Sequence, residues 1–130
     1  MRQAVIESGR AEFALDAVNG VIKNYRNNAK EYKSYVRKFP SLVLTNGFAA
    51  AVAFVLEKKK KENEEKNAYN LIYDNISNWL ETNKFYENKE LKEYIFSLDS
   101  NEYRVVTNEI LALFEWLRRF ASGLIEGDAE

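Results

Sequence analysis

Apolar residues recur every three or four positions through most of this chain, and the longest such run lies between Tyr103 and Leu124. Tyr103, Val106, Ile110, Leu113, Leu117, Phe120 and Leu124 form one stripe, which predicts a helix buried along one side. Phe114 and Ala121 widen the stripe on one flank and Trp116 on the other, giving the broad face of a globular bundle rather than a narrow two-stranded seam. Asp99 stands three residues before Glu102 and supplies an acidic capping pattern for this helix.

The same period predicts the other elements. A first helix is expected over Arg2 to Asn19, with Ile6, Phe13, Ala14, Ala17 and Val18 inward. A second runs from Val21 to Phe39, with Val21, Tyr25, Ala29, Tyr32, Val36 and Phe39 on one face. Pro40 is expected to end that helix or to open the next at its first position, where a missing N–H costs nothing. The third helix, Ser41 to Lys58, is expected to be buried and central, with Gly47, Ala50 and Ala51 as a small-residue face for close backbone approach. Its apolar run of about 15 residues spans roughly 22 Å, too short for a bilayer. Ala68 to Leu80 forms a fourth helix with Tyr69, Ile72, Ile76, Trp79 and Leu80 inward, and Leu91 to Phe96 a short fifth. No strand-like alternation or internal repeat appears. The expected fold is all-α, a compact bundle of about five to six helices in a single domain over residues 1–130, with the polar stretches 58–67 and 126–130 flexible.

Composition narrows the chemistry. At 130 residues and 46% hydrophobic the chain is long enough for one sizeable core. It has no Cys and no His, so it lacks thiolate metal ligands, the usual general base and the commonest metal ligand. Glu64 with Glu65, and Asp99 with Glu102, sit in loop or cap contexts without the converging acids of a metal site. No catalytic, metal or cofactor residues are therefore assigned. Glu109, at the edge of the oily face beside Trp116, is expected to make a structural pair, because a partly buried acid needs a cation or a hydrogen-bond donor. The first residues carry charges around a very short apolar run, unlike a secretory signal, which leaves the cytoplasm as the expected compartment and no membrane as a partner.

The formal net charge is only −1, so a polyanion-binding role must sit in a local patch. One is present on the polar side of the second helix. Lys23, Arg26, Lys30, Lys33, Arg37 and Lys38 face the single acid Glu31, a local charge of +5. On an unbroken helix this stripe runs roughly 20 Å, enough to follow several phosphates of a single strand. Such a stripe either solvates an amphipathic helix or binds phosphate, and its regular spacing leaves both readings open. Arg104, Arg118 and Arg119 are further candidates. Glu115 precedes the latter two by three and four residues and is placed to offset them.

Several residues together resemble a known family. Phe39-Pro40-Ser41, Thr45-Asn46-Gly47-Phe48, Ala53-Phe54, and then Tyr103-Arg104 with Thr107, Glu109 and Trp116 to Ala121 resemble, in order and spacing, the small helical subunit of the type III-B CRISPR effector, the Cmr complex. The likeness runs from about Arg10 to about Phe120 and is weakest across residues 58–67 and 82–89. It implies a helical bundle that is not itself the nuclease. Copies of it stack as a minor filament beside the backbone subunits and help form the groove that holds guide RNA and its paired target, while the backbone subunits cleave. Other Cmr subunits, further copies of the chain and the two RNA backbones are thus the implied partners. A purely structural interaction module, without RNA contact, is the alternative. Pro40, Gly47, Glu109 and Trp116 are read as structural.

Overall fold

The computed structural model describes the backbone of residues 2–127 and the side chains of residues 9–127. All regular structure among them is helical. The elements are α1 (Arg2–Asn24), a single 3-10 turn (Arg26–Asn28), α2 (Ala29–Asn46), α3 (Phe48–Lys58), α4 (Ala68–Thr82), α5 (Leu91–Ile95) and α6 (Ser100–Leu124). The inward position expected of Ile6, and the end of the stretch 126–130, lie outside the described side chains.

One hydrophobic cluster receives residues from all six helices. Its axis is α6, which packs on α1 and α2. Val106, Ile110, Leu113, Phe114, Leu117 and Ala121 are all buried there, and Phe114 stacks on Phe39 of α2 at 4.7 Å. The predicted face is therefore the real one, except at its far end, where Leu124 is 45% exposed. The Asp99 carboxylate accepts the Glu102 N–H at 2.9 Å and caps α6. That bond holds Asp99 below the usual carboxylate range. The hydroxyl of Tyr32, buried in α2, donates to Asn75 of α4 at 2.6 Å, and burial raises its pKa.

The helix boundaries around the first two segments differ from expectation. The first helix does not stop at Asn19 but continues through Gly20 to Asn24. Val21 is buried on the same face as Ala14 and Val18, and that burial offsets the roughly 1 kcal/mol that glycine costs a helix. The break falls at Tyr25, with φ −135° and ψ 44°. Pro40 neither ends nor opens a helix. It lies inside α2, which continues to Asn46. An interior proline costs about 3 kcal/mol, and here Phe39 and Val43 on either side of it are both in the core.

The chain turns at Gly47 instead, so α3 starts at Phe48 rather than Ser41. Nor is the third apolar run a wholly buried central helix. Phe48, Ala51, Val52 and Val55 face the core, whereas Ala50 and Ala53 are exposed, Phe54 is 37% exposed and Leu44, now in α2, is 74% exposed. What approaches Gly47 is the Tyr103 hydroxyl of α6, not a neighbouring backbone. No helix among the described residues is long and apolar enough to cross a membrane.

The polar link after α3 is tied to α4 by the Lys66–Asp74 ion pair at 2.7 Å and by the side chain of Asn70. Asn70 is buried, and its carbonyl oxygen accepts the N–H groups of Lys60 and Asn67, each at 2.9 Å. Its amide donates to the Lys60 carbonyl at 3.0 Å. Asn67 in turn accepts the Asn70 N–H at 3.1 Å, completing a reciprocal cap at the start of α4.

Candidate nucleic-acid interface

The break at Tyr25 divides the basic stripe. Lys23 sits in the last turn of α1 and Arg26 in the 3-10 turn, while Lys30, Lys33, Arg37 and Lys38 lie on α2. The single continuous helix expected for all six is therefore two helices and a turn. On α2, Lys30 and Arg37 are seven residues apart and share a face, and Lys38 is turned about a quarter of the way round. All three are exposed and form no ion pair with the described residues. Glu31, the one acid in the stretch, lies 3.5 Å from the Tyr35 hydroxyl that donates to it.

Lys33 has a different environment. Its ammonium donates to the carbonyls of Ile125 and Gly127, at 2.9 Å each, and so ties the segment that follows α6 to α2. Lys30 packs alongside, close enough that a β-carbon on Gly127 would come within 2.9 Å of its Cε. A shallow groove of about 500 Å³ runs here between Ile22, Arg26, Lys30 and the Leu124–Glu126 segment.

The α6 arginines do not join this surface as a group. Arg118 pairs with Glu115 at 3.1 Å, and Arg119 lies over the Trp116 ring with 5.8 Å to its centroid. Trp116 is half-buried and stacks on Phe120 at 5.9 Å. Arg104, exposed, is 14 residues back along the helix, roughly 21 Å away. It lines a separate depression with Asp99, Tyr103 and Asn108.

Glu109 is engaged by two elements far away in sequence. Arg10 of α1 binds it with both arms, Nε to Oε2 at 2.8 Å and a terminal nitrogen to Oε1 at 2.9 Å. The indole N–H of Trp79 in α4 donates to Oε2 at 2.8 Å, and Phe13 packs on the Trp79 ring at 5.1 Å. The tryptophan beside Glu109 is thus Trp79, not Trp116. A bidentate guanidinium and an indole give this carboxylate three donors. Among the described residues, no three acidic side chains are grouped as metal ligands.

A second surface was not foreseen. Between α2, α3 and α4 opens a groove of about 480 Å³ whose lining includes Tyr35, Lys38, Thr45, Asn46, Phe54 and Tyr69. Tyr35 and Tyr69 stack at 4.2 Å, and Phe54 meets Tyr69 edge-on at 5.9 Å. The Lys58 ammonium lies 5.7 Å from the centre of the Phe54 ring. Burial first, and then the Tyr69 hydroxyl and the Glu31 carboxylate, push Tyr35 up to about 12, so it stays a neutral hydroxyl at physiological pH. The available signal was that Tyr35 and Phe54 fall off the main inward faces of their helices.

Comparison with known proteins places this architecture. Residues 6–124 match the family model described as CRISPR-associated protein (Cas_Cmr5). The chain is 31% identical over 96 residues to the CRISPR system Cmr subunit Cmr5 of Thermus thermophilus, an alignment covering 74% of this chain and 76% of that one. A crystal structure of a CRISPR-associated Cmr5 family protein from Thermus thermophilus superimposes with a TM-score of 0.72 and 29% identity, over 92% of this chain and 99% of that one.

Proposed function

Because the chain belongs to the Cmr5 family of CRISPR-associated proteins, we propose that it works as the non-catalytic small subunit of a type III-B effector. In this reading it stands in the cytoplasm beside the backbone subunits and further copies of itself, and steadies guide and target RNA through the basic face of α2. The observation that carries the RNA role is the group Lys30, Arg37 and Lys38, three solvated cations on one helix without ion-pair partners among the described residues. Lys23 and Arg26 extend it at the preceding turn. Phosphate contacts of this kind are indifferent to sequence and weaken with salt, which suits a complex whose specificity comes from base pairing. Lys33 is committed to the end of α6 and leaves the contact set. Arg118 and Arg119, held by Glu115 and Trp116, contribute less than Lys30 or Arg37.

The test is the triple variant Lys30→Glu, Arg37→Glu, Lys38→Glu in the assembled effector, with target-RNA affinity measured against salt. Lys33 is left intact, because its substitution would also strip the carbonyls of Ile125 and Gly127 of their donor. Affinity is expected to fall uniformly across target sequences, and the salt slope to flatten by about 3, one unit per phosphate contact. A variant that assembles, binds and supports cleavage with an unchanged slope would leave only the structural-module reading.

A further inference from the structure

We propose that the aromatic groove between α2, α3 and α4 receives an unstacked nucleobase of the bound RNA, with Lys38 and Lys58 placed for its flanking phosphates. This rests on the RNA-holding reading and assigns it a second surface. At about 480 Å³ the groove is of the size that encloses small planar ligands. Its walls combine ring surfaces, the Tyr35–Tyr69 stack and the edge-on Phe54, with the aliphatic side chains of Leu42, Val55 and Ile72, and stacking on such rings is how proteins hold single-stranded bases without reading their sequence.

The rim favours a base over an apolar protein segment. Thr45 and Asn46 bring a hydroxyl and an amide to the mouth, and Lys38 brings a cation, while no carboxylate is among the lining residues. A base has a polar edge for the Asn46 amide, both donor and acceptor, whereas an aliphatic anchor would bury these groups without partners. Lys58, with its ammonium 5.7 Å from the centre of the Phe54 ring, adds a second positive charge beside the α3 wall.

The experiment uses the assembled effector with 4-thiouridine placed at successive positions, in the guide RNA in one arm and in the target RNA in the other. Cross-linked peptides are then identified by mass spectrometry. Cross-links to Tyr35, Phe54 or Tyr69 from a particular position are expected, and the arm that produces them names the strand. Phe54→Ala removes a partly exposed wall. It is expected to weaken RNA binding about fivefold or more while keeping the salt slope, and Thr45→Glu, at an exposed rim position, to weaken it similarly. Parental melting temperatures establish that both variants fold.

Absence of cross-links from these rings, with both variants binding RNA normally, would overturn the groove proposal. If the α2 charge reversal still flattens the salt slope, the RNA-holding reading survives that failure. If neither set of substitutions affects RNA, both readings fall. Loss of subunit assembly with unchanged RNA affinity in the Phe54 and Thr45 variants would make the groove a protein-docking surface and also overturn the proposal.

Discussion

Glu109→Ala is expected to lower folding stability by about 3 kcal/mol and the melting temperature by roughly 10 °C. The side chains of Arg10 and Glu109 are only 19% and 14% exposed, and Trp79 is 4% exposed, so water cannot readily replace what the carboxylate provides. Removing it takes the bidentate acceptor from the Arg10 guanidinium and the carboxylate that accepts the Trp79 indole N–H. The loss is larger than that of one hydrogen bond because the donors remain desolvated. Glu109→Gln keeps an acceptor for the indole and is expected to fall between parent and alanine variant. Replacing the pair together, Arg10→Met with Glu109→Leu, is expected to recover only part of the stability, since neither member of the pair is left as an uncompensated charge but the Trp79 indole N–H still loses its acceptor. Urea and thermal unfolding of the variants measure this. Unchanged stability in Glu109→Ala would mean that the cluster does not fasten α1.

Gly47→Ala is expected to cost about 2 kcal/mol, measured in the same unfolding experiments. Gly47 has φ 91° and ψ 156°, a combination essentially confined to glycine. The added β-carbon would also lie 3.3 Å from the Tyr103 hydroxyl. That oxygen accepts the Ala49 N–H at 2.8 Å, supplying from α6 the cap that the residue before α3 does not provide. Tyr103→Phe removes the cap without straining the turn, and about 1 kcal/mol is expected for it. In the double variant the costs are expected to be less than additive, because both act on the same contact. Gly47→Ala with stability equal to the parent would mean that the α2–α3 junction relaxes into an ordinary backbone conformation.

The face of α6 was legible in the sequence because six buried residues repeat a single period and no other element competes for them. Boundaries were less so, since they depend on distant packing. Gly20 lowers helix propensity whatever surrounds it, but Val21 beyond it finds a place in the core, and only the fold reveals that. Pro40 misled for the same reason, because its local cost was visible and the burial of Phe39 and Val43 was not. The need of Glu109 for a partner followed from its position at the edge of an apolar face. Arg10, 99 residues away, could not be read from local spacing. The basic residues were evident as composition, yet periodicity could not separate Lys33, spent on the end of α6, from Lys30 and Arg37. The aromatic groove lay furthest from view, because Tyr35, Phe54 and Tyr69 belong to three helices and meet only when these are packed.

The Trp79–Glu109 bond also gives the molecule an optical label. The chain has only two tryptophans. Trp116 lies half-buried beside Arg119, while Trp79 sits where α1, α4 and α6 meet, its indole N–H on a carboxylate and a phenylalanine ring against its face. With Trp116 changed to phenylalanine, the remaining tryptophan emission belongs to that junction alone. Detachment of α1 would then register as a red shift without any attached dye, and could be timed separately from the unfolding of the rest of the bundle.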